Sequence, residues 1–228
     1  MISKMDPIDA WFLIRWTKFT ASEIYKLLLG GKSNETFGVG ANTYIKTKAL
    51  EMSTQMQERP EMEEVKSLLW GKVHEQPAFE WYVKATGNRS MKYLGTENPL
   101  FLEYESIPNE AGGSPDAITF TSDAKVNGGA EIKCPKNSMY HFDRMKWKTM
   151  WDVKEGYIEC YSQIQMLMMI NEAPVWHFVS FDDRFVDFNK KGKIIEILPD
   201  KKFQDNLDLR IRMAVKEKYK IFNEYINA

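Results

Sequence analysis

The chain has 228 residues, 43% of them hydrophobic and 28% charged, with a formal net charge of −1 and an isoelectric point near 6.4. That length suits one substantial core and is short for two full domains, so a single domain spanning residues 1–228 is expected. The near-neutral balance counts against a general nucleic-acid coat protein, which is usually basic, but acidic ligands and a basic groove can share one surface. Cys134 and Cys160 are too few for a four-thiolate zinc or iron–sulfur centre within one chain, and a reduced, cytoplasmic compartment fits them. The N-terminal stretch carries Asp6 and Asp9 around a short apolar run and is not patterned as a signal peptide. No run of about 18 apolar residues occurs, so no helical membrane span is expected.

Thr20-Ala21-Ser22-Glu23 has capping-box spacing and predicts a first helix through Ile24, Leu27 and Leu28, stopping at Gly30-Gly31. Further helices are predicted over Ala41–Ser53 and Glu63–Ala85. Four β-rich runs follow, Met91–Leu94, Leu100–Tyr104, Gly113–Thr121 and Gly129–Cys134, punctuated by Gly, Pro and Asn. Helices are then predicted over Ser138–Trp147 and Glu155–Asn171, strands over Val175–Phe181 and Lys193–Leu198, and a last helix from Lys202. This order reads as an α/β (α+β) fold in which helices flank a central mixed sheet. Gly30-Gly31-Lys32-Ser33 is no phosphate-binding P-loop, because the required earlier glycine falls at Lys26 inside a helix. Gly112-Gly113-Ser114 lacks the nucleophile elbow of a serine hydrolase, and the three histidines are scattered.

The chemistry concentrates in Ser114-Pro115-Asp116 and Ala130-Glu131-Ile132-Lys133-Cys134-Pro135. Residues two apart on a strand share a face, so Glu131 and Lys133 project together while Ile132 points into the core. A hairpin over Thr121–Gly129 can set Asp116 beside Glu131. Two carboxylates and the Ile132 carbonyl then form an oxygen-rich half-shell suited to Mg2+, which keeps waters for its substrate. Lys133 can orient or activate an attacking water and offset charge on a phosphoryl oxygen. A bare E-x-K is an ordinary solvated strand pair; its place after S-P-D between apolar neighbours makes it a candidate site. Trp70-Gly71-Lys72-Val73-His74-Glu75 offers Glu75 to complete the shell and His74 as an added ligand. Gln163 and Gln165 interrupt an apolar helix face, and one of them is expected to reach the site.

The order G-x-x-x-H-E, S-P-D, E-I-K-C-P, Q-x-Q, running from Ala10 to Phe178, resembles the lambda-exonuclease and YqaJ-type family of viral recombinase nucleases, with a PD-(D/E)XK core. The resemblance implies a 5′→3′ exonuclease on double-stranded DNA ends that uses two Mg2+ ions, with Mn2+ able to substitute. It implies release of 5′-mononucleotides, 3′ overhangs for a single-strand annealing protein, and a ring-shaped homotrimer. Asp116, Glu131, Lys133, Gln163 and Glu75 are the implied catalytic residues; Asp116, Glu131, Ile132, Glu75 and His74 are the metal candidates. An Arg and a Ser at the family's spacing bind the 5′ phosphate and match Arg15 and Ser22; Ser114 and Lys136 join them as DNA-binding candidates. Ser22 would lie in a helix's first turn, where free N–H groups attract an anion, and Arg15 would add a bidentate charge. The chain departs from the phage lambda pattern at His74, where that pattern has an aromatic residue, and in the loop after Pro135, where the family's arginine has no evident counterpart. Two other functions fit the same residues less well: a repair-type nuclease or endonuclease on single-stranded or branched DNA, and a non-catalytic DNA-end-binding module.

Overall fold

The computed structural model describes residues 7–30, 36–54, 62–95 and 100–227; Asp6, Gly31 and the Lys32-Ser33 step lie outside them. In chain order come helix α1 (Pro7–Arg15), strand β1 (Phe19–Thr20), a 3-10 helix (Ala21–Leu28), α2 (Val39–Thr54) and α3 (Met62–Thr86). Short strands β2 (Lys92–Tyr93), β3 (Leu102–Glu103), β4 (Ala111–Gly113) and β5 (Ala117–Phe120) lead to the long β6 (Val126–Lys133). Then come α4 (Ser138–Arg144), α5 (Met150–Gly156), α6 (Ile158–Asn171), β7 (Trp176–Phe181), α7 (Phe188–Lys191), β8 (Gly192–Ile197) and α8 (Lys201–Ile226).

Strand β6 is the centre of a five-stranded mixed sheet ordered β2-β5-β6-β7-β8. It pairs antiparallel with β5 through the polar hairpin and parallel with β7, a connection that needs the crossover made by α4, α5 and α6. The period of two sorts its side chains. Ala130 and Ile132 join Val179 and Phe181 of β7 beneath Ala78, Trp81 and Tyr82 of α3. On the other face, Trp176 and Phe178 pack with Tyr161, Ile164 and Leu167 of α6 and with Leu207 and Ile211 of α8. With helices on both faces, β6 is buried from Gly128 to Ile132.

Most predicted elements appear near their expected bounds, and the departures have physical causes. The run expected as one strand over Gly113–Thr121 is divided at Ser114–Asp116. Its first part belongs to a separate three-stranded sheet, β1-β4-β3, and its second to the main sheet. The helix expected over Glu155–Asn171 breaks at Tyr157, whose backbone (φ −154°, ψ 64°) is not helical. No capping box forms at Thr20. Its hydroxyl accepts from Arg15 at 3.3 Å while Glu23 pairs with Lys26 at 2.6 Å, and the chain winds as a 3-10 helix. That helix is long for its type. It packs against α6, with Ala21, Ile24 and Leu27 buried. Helices α1 and α7 have no counterpart among the predicted elements. Among the described residues no helix is long and apolar enough to cross a membrane.

Gly113 is the point of closest approach between β4, the 3-10 helix and α6. A Cβ there would lie 2.6 Å from the Ala21 Cβ and 2.8 Å from Leu167 Cδ2. Gly113→Ala is therefore expected to destabilise the protein by about 1–3 kcal/mol through overpacking, seen as a lower urea midpoint with an unchanged slope. An unchanged midpoint would show that this junction yields.

Candidate active site

Glu131 and Lys133 share the face of β6 that looks toward α6. Lys133 Nζ lies 2.7 Å from Glu131 Oε1 and donates to Gln163 Oε1 of α6 at 3.1 Å. Glu131 is 1% exposed; its second oxygen, Oε2, is buried without a hydrogen-bond partner among the described residues. A buried carboxylate oxygen left unpaired is costly and calls for a partner. Burial works against the Lys133 charge, but Glu131, with smaller help from Cys160, Tyr157 and Asp116, outweighs it and holds the ammonium well above its usual range. Lys133 donates its hydrogen bonds here to Glu131 and Gln163.

Asp116 sits at the step between the two sheets. The pairing of Ala117 with Ala130 sets it across from Glu131. Its Oδ2 accepts the Ile132 N–H at 2.7 Å, which fixes one oxygen and orients the other. Burial, then the negative charge of Glu131 and of Glu75, raises the Asp116 carboxyl well above the carboxylate range. Glu75, on α3, is raised by burial and by Glu131, against a hydrogen bond from Tyr93. Tyr93 pairs in register with Ala117, which brings its hydroxyl to Glu75. Three carboxyl groups thus interact electrostatically around one ammonium.

The two glutamines separate cleanly. Gln163 reaches Lys133, whereas Gln165 bonds the Leu198 carbonyl at 2.8 Å, the Asp200 N–H at 2.9 Å and Gln204 at 3.0 Å, tying α6 to the start of α8. His74 is not brought to the carboxylates. Its ring stacks on Trp70 with centroids 4.0 Å apart, Nδ1 lies 2.8 Å from the Trp70 carbonyl, and Nε2 is 3.8 Å from Asp183. Burial raises the thiols of Cys134 and Cys160, so neither is a thiolate.

Arg15 and Ser22 do meet. Arg15 Nη2 donates to Ser22 Oγ at 2.9 Å and to Thr20 Oγ1 at 3.3 Å. Parallel pairing of Phe19 with Ala111 and Thr20 with Gly112 runs this segment alongside the one leading into Ser114 and Asp116. Ser114 Oγ is buried with no hydrogen-bond partner among the described residues. Lys136 is exposed, and its carbonyl is held by Arg184. Arg184 and Tyr93 are site neighbours that the sequence pattern did not single out. For Arg184 the available signal was a charged triplet, Asp182-Asp183-Arg184, directly after an apolar strand. Its guanidinium grips Asp182 with two bonds of 2.7 Å, donates to the carbonyls of Pro135 and Lys136 at 3.1 and 3.0 Å, and lies 5.0 Å from the Trp70 ring centroid. It thereby joins α3, the end of β7 and the loop after Lys133.

Among the described residues no three His, Cys, Asp or Glu side chains form a ready metal cage. The donors nevertheless fit a hard divalent cation. They are all oxygen, the Glu131 Oε2 atom is buried and unpartnered, and the mutual repulsion of Asp116, Glu131 and Glu75 calls for positive charge. Mg2+ commonly takes one or two protein carboxylates and keeps its waters, so a full protein cage is not needed.

The profile of the YqaJ-like viral recombinase domain matches residues 10–174, which include Arg15, Ser22, Glu75, Ser114, Asp116, Glu131, Lys133, Lys136 and Gln163. The chain belongs to that family. The fold agrees. An alkaline exonuclease from Laribacter hongkongensis superposes with a TM-score of 0.74 at 22% identity, covering 96% of both chains. The same enzyme in complex with dAMP gives 0.73 at 22% identity over 96% of this chain and 95% of that one. A phage-related exonuclease from Haemophilus somnus 129PT gives 0.69 at 14% identity over 91% and 96%. A search of curated proteins found no matching relative. Membership of the YqaJ family makes the chain a nuclease acting on DNA.

The Arg184 clamp has a measurable consequence. Burial pushes the Asp182 carboxyl up, but its hydrogen bonds from Arg184 hold it below the usual range. A carboxylate depressed in the folded state contributes stability above its unfolded pKa and loses it as pH falls through the folded value. Arg184→Ala removes that contribution, so the melting temperature should fall most at about pH 6 and the deficit should narrow toward about pH 3. Thermal melts from about pH 3 to pH 6 check this, and a deficit that does not change with pH would contradict the clamp.

Proposed function

We propose that this YqaJ-family nuclease is a Mg2+-dependent 5′→3′ exonuclease on double-stranded DNA ends, releasing 5′-mononucleotides and leaving 3′ overhangs for a single-strand annealing protein. One observation carries the reading. Glu131 is buried with one oxygen on Lys133 and the other unpaired, directly beside Asp116. Asp116, Glu131 and the Ile132 carbonyl would hold one Mg2+, with Glu75 toward a second, and Mn2+ has the same oxygen preference. When bound, the metal would supply Lewis-acid polarisation of a phosphoryl oxygen and a more acidic water.

The chain's own residues do the rest. Lys133, kept charged by Glu131 and steadied by Gln163, presents an ammonium to the oxygens of the scissile phosphate and to the attacking water, where charge accumulates in the transition state. The Ile132 N–H holds Asp116 in one rotamer. Arg15 and Ser22, with Ser114 beside the acidic cluster and Lys136 on the loop, form the anion-binding side that receives the 5′ phosphate and sets the first phosphodiester against Lys133. The ring trimer, the annealing partner and action in the host-cell cytoplasm belong to the proposal through family resemblance. The dAMP complex of the similar Laribacter enzyme supports a deoxynucleotide at this fold's site.

Lys133→Ala and Glu131→Ala are each expected to cut the cleavage rate by about 1,000-fold or more while DNA-end binding survives. Strand-resolved digestion of a linear duplex, with Mg2+ or with EDTA, measures both. Activity that persists in EDTA or in purified Lys133→Ala would refute the assignment. Arg15→Ala should raise KM for 5′-phosphorylated ends by about 10-fold and leave unphosphorylated ends nearly unchanged. Equal losses on the two ends would argue against the phosphate role.

A further inference from the structure

The turn between α1 and β1 is strained and is held by charges that catalysis does not use. Thr17 adopts φ 63°, a left-handed conformation that β-branched residues avoid. Such a conformation persists only where surrounding contacts over-determine it. Here the Thr17 N–H donates to Glu51 Oε2 at 2.8 Å, and its carbonyl accepts from Lys218 Nζ at 3.1 Å. Glu51 of α2 is paired with Lys48 at 3.0 and 3.1 Å, and both are 2% exposed. Lys218 of α8, 1% exposed, also bonds Glu110, whose other oxygen accepts from the Tyr219 hydroxyl at 2.5 Å. Two buried cations and two buried anions thus surround one backbone turn, and none of them enters the Asp116–Glu131–Lys133 cluster. Paired hydrophobic residues would fill such a core at least as cheaply, so the network asks for a role in specifying geometry.

Its place in the fold supplies that role. Thr17 follows Arg15 by two residues, and Glu110 immediately precedes β4, which leads to Ser114. The same two segments pair as β1 and β4, with the Phe19 N–H on the Glu110 carbonyl at 2.8 Å. Lys218 therefore ties together the roots of both segments, one bearing Arg15 and Ser22 and the other bearing Ser114. Ser114 Oγ is buried and unpartnered, as a group awaiting an acceptor or an anion would be.

We infer that Lys218, acting with Glu110 and the Lys48–Glu51 pair, is a positioning residue that locks Arg15, Ser22 and Ser114 into one site for the terminal 5′ phosphate. This rests on the phosphate role proposed above for Arg15. Lys218 lies beyond residue 174, where the family match ends, so α8 supplies a specificity element from outside the matched region.

The test compares digestion of 5′-phosphorylated and unphosphorylated duplex ends by the full chain with Mg2+, with thermal melting to verify folding. Lys218→Met alone strands the Glu110 charge and can unfold the protein, so it is paired with a double variant, Glu110→Gln with Lys218→Met, which removes both charges at similar volume. The double variant is expected to raise KM for phosphorylated ends by about 10-fold, with little change in kcat or on unphosphorylated ends. The preference for phosphorylated ends should fall with it, as in Arg15→Ala. A folded double variant whose preference is unchanged, or whose activity falls equally on both ends, overturns the inference if Arg15→Ala still loses the preference. If Arg15→Ala keeps the preference, the phosphate reading fails first and takes this inference with it.

Discussion

A carboxylate that is 1% exposed beside an ammonium 2.7 Å away, on the central strand of a sheet covered on both faces, is the interaction around which this nuclease is arranged. Buried as it is, the Glu131 charge would be costly there alone. The pair raises the Lys133 ammonium above its usual range and holds one oxygen of Glu131, while the other has no partner among the described residues. The strand can carry them because its alternate residues, Ala130 and Ile132, are committed to the core beneath α3. Moving the register by one residue would exchange the two sets and destroy site and core together.

The remaining site residues are brought in by how neighbouring elements join this strand. The β5–β6 hairpin sets Asp116 across from Glu131, the crossover through α6 sets Gln163 over Lys133, and α3 carries Glu75 to the cluster's edge. Asp116 can do this because the chain leaves the small sheet at Gly113 and enters the large one at Ala117, so the S-P-D step lies at a junction. The small sheet also carries the Arg15–Ser22 segment alongside Ser114. The acidic cluster and the Arg15–Ser22 pair thus lie on either side of one seam.

Polar side chains rather than apolar ones define that seam. Arg184 fastens the Pro135-Lys136 loop and stacks on Trp70, which gives a physical role to two segments that the sequence marks as distinctive, W-G-K and E-I-K-C-P. Lys48, Glu51, Glu110 and Lys218 do the corresponding work at the strained Thr17 turn. Apolar packing is nondirectional and tolerates small shifts, whereas paired hydrogen-bonded charges fix atoms in register.

Short-range pattern determined a good deal. The E-I-K alternation assigned Glu131 and Lys133 to one face and Ile132 to the other, the helices over α2, α3 and α8 were expected close to where they lie, and the S-P-D and H-E steps marked where the carboxyl groups gather. Tertiary structure alone decided the rest, because those choices depend on partners distant in sequence. Gln163 and Gln165 differ only in which neighbour they face, Lys133 for one and the start of α8 for the other. His74 turned to Trp70 and Asp183 instead of the carboxylates, and Thr20 left its expected cap to accept from Arg15. Lys218, a lysine in a helix rich in charge, carries no local sign that it is buried against Glu110 and Thr17. A local pattern fixes which side chains share a face, but long-range pairing selects the partner of each buried polar atom, because only the assembled fold determines which donors and acceptors are withdrawn from water together.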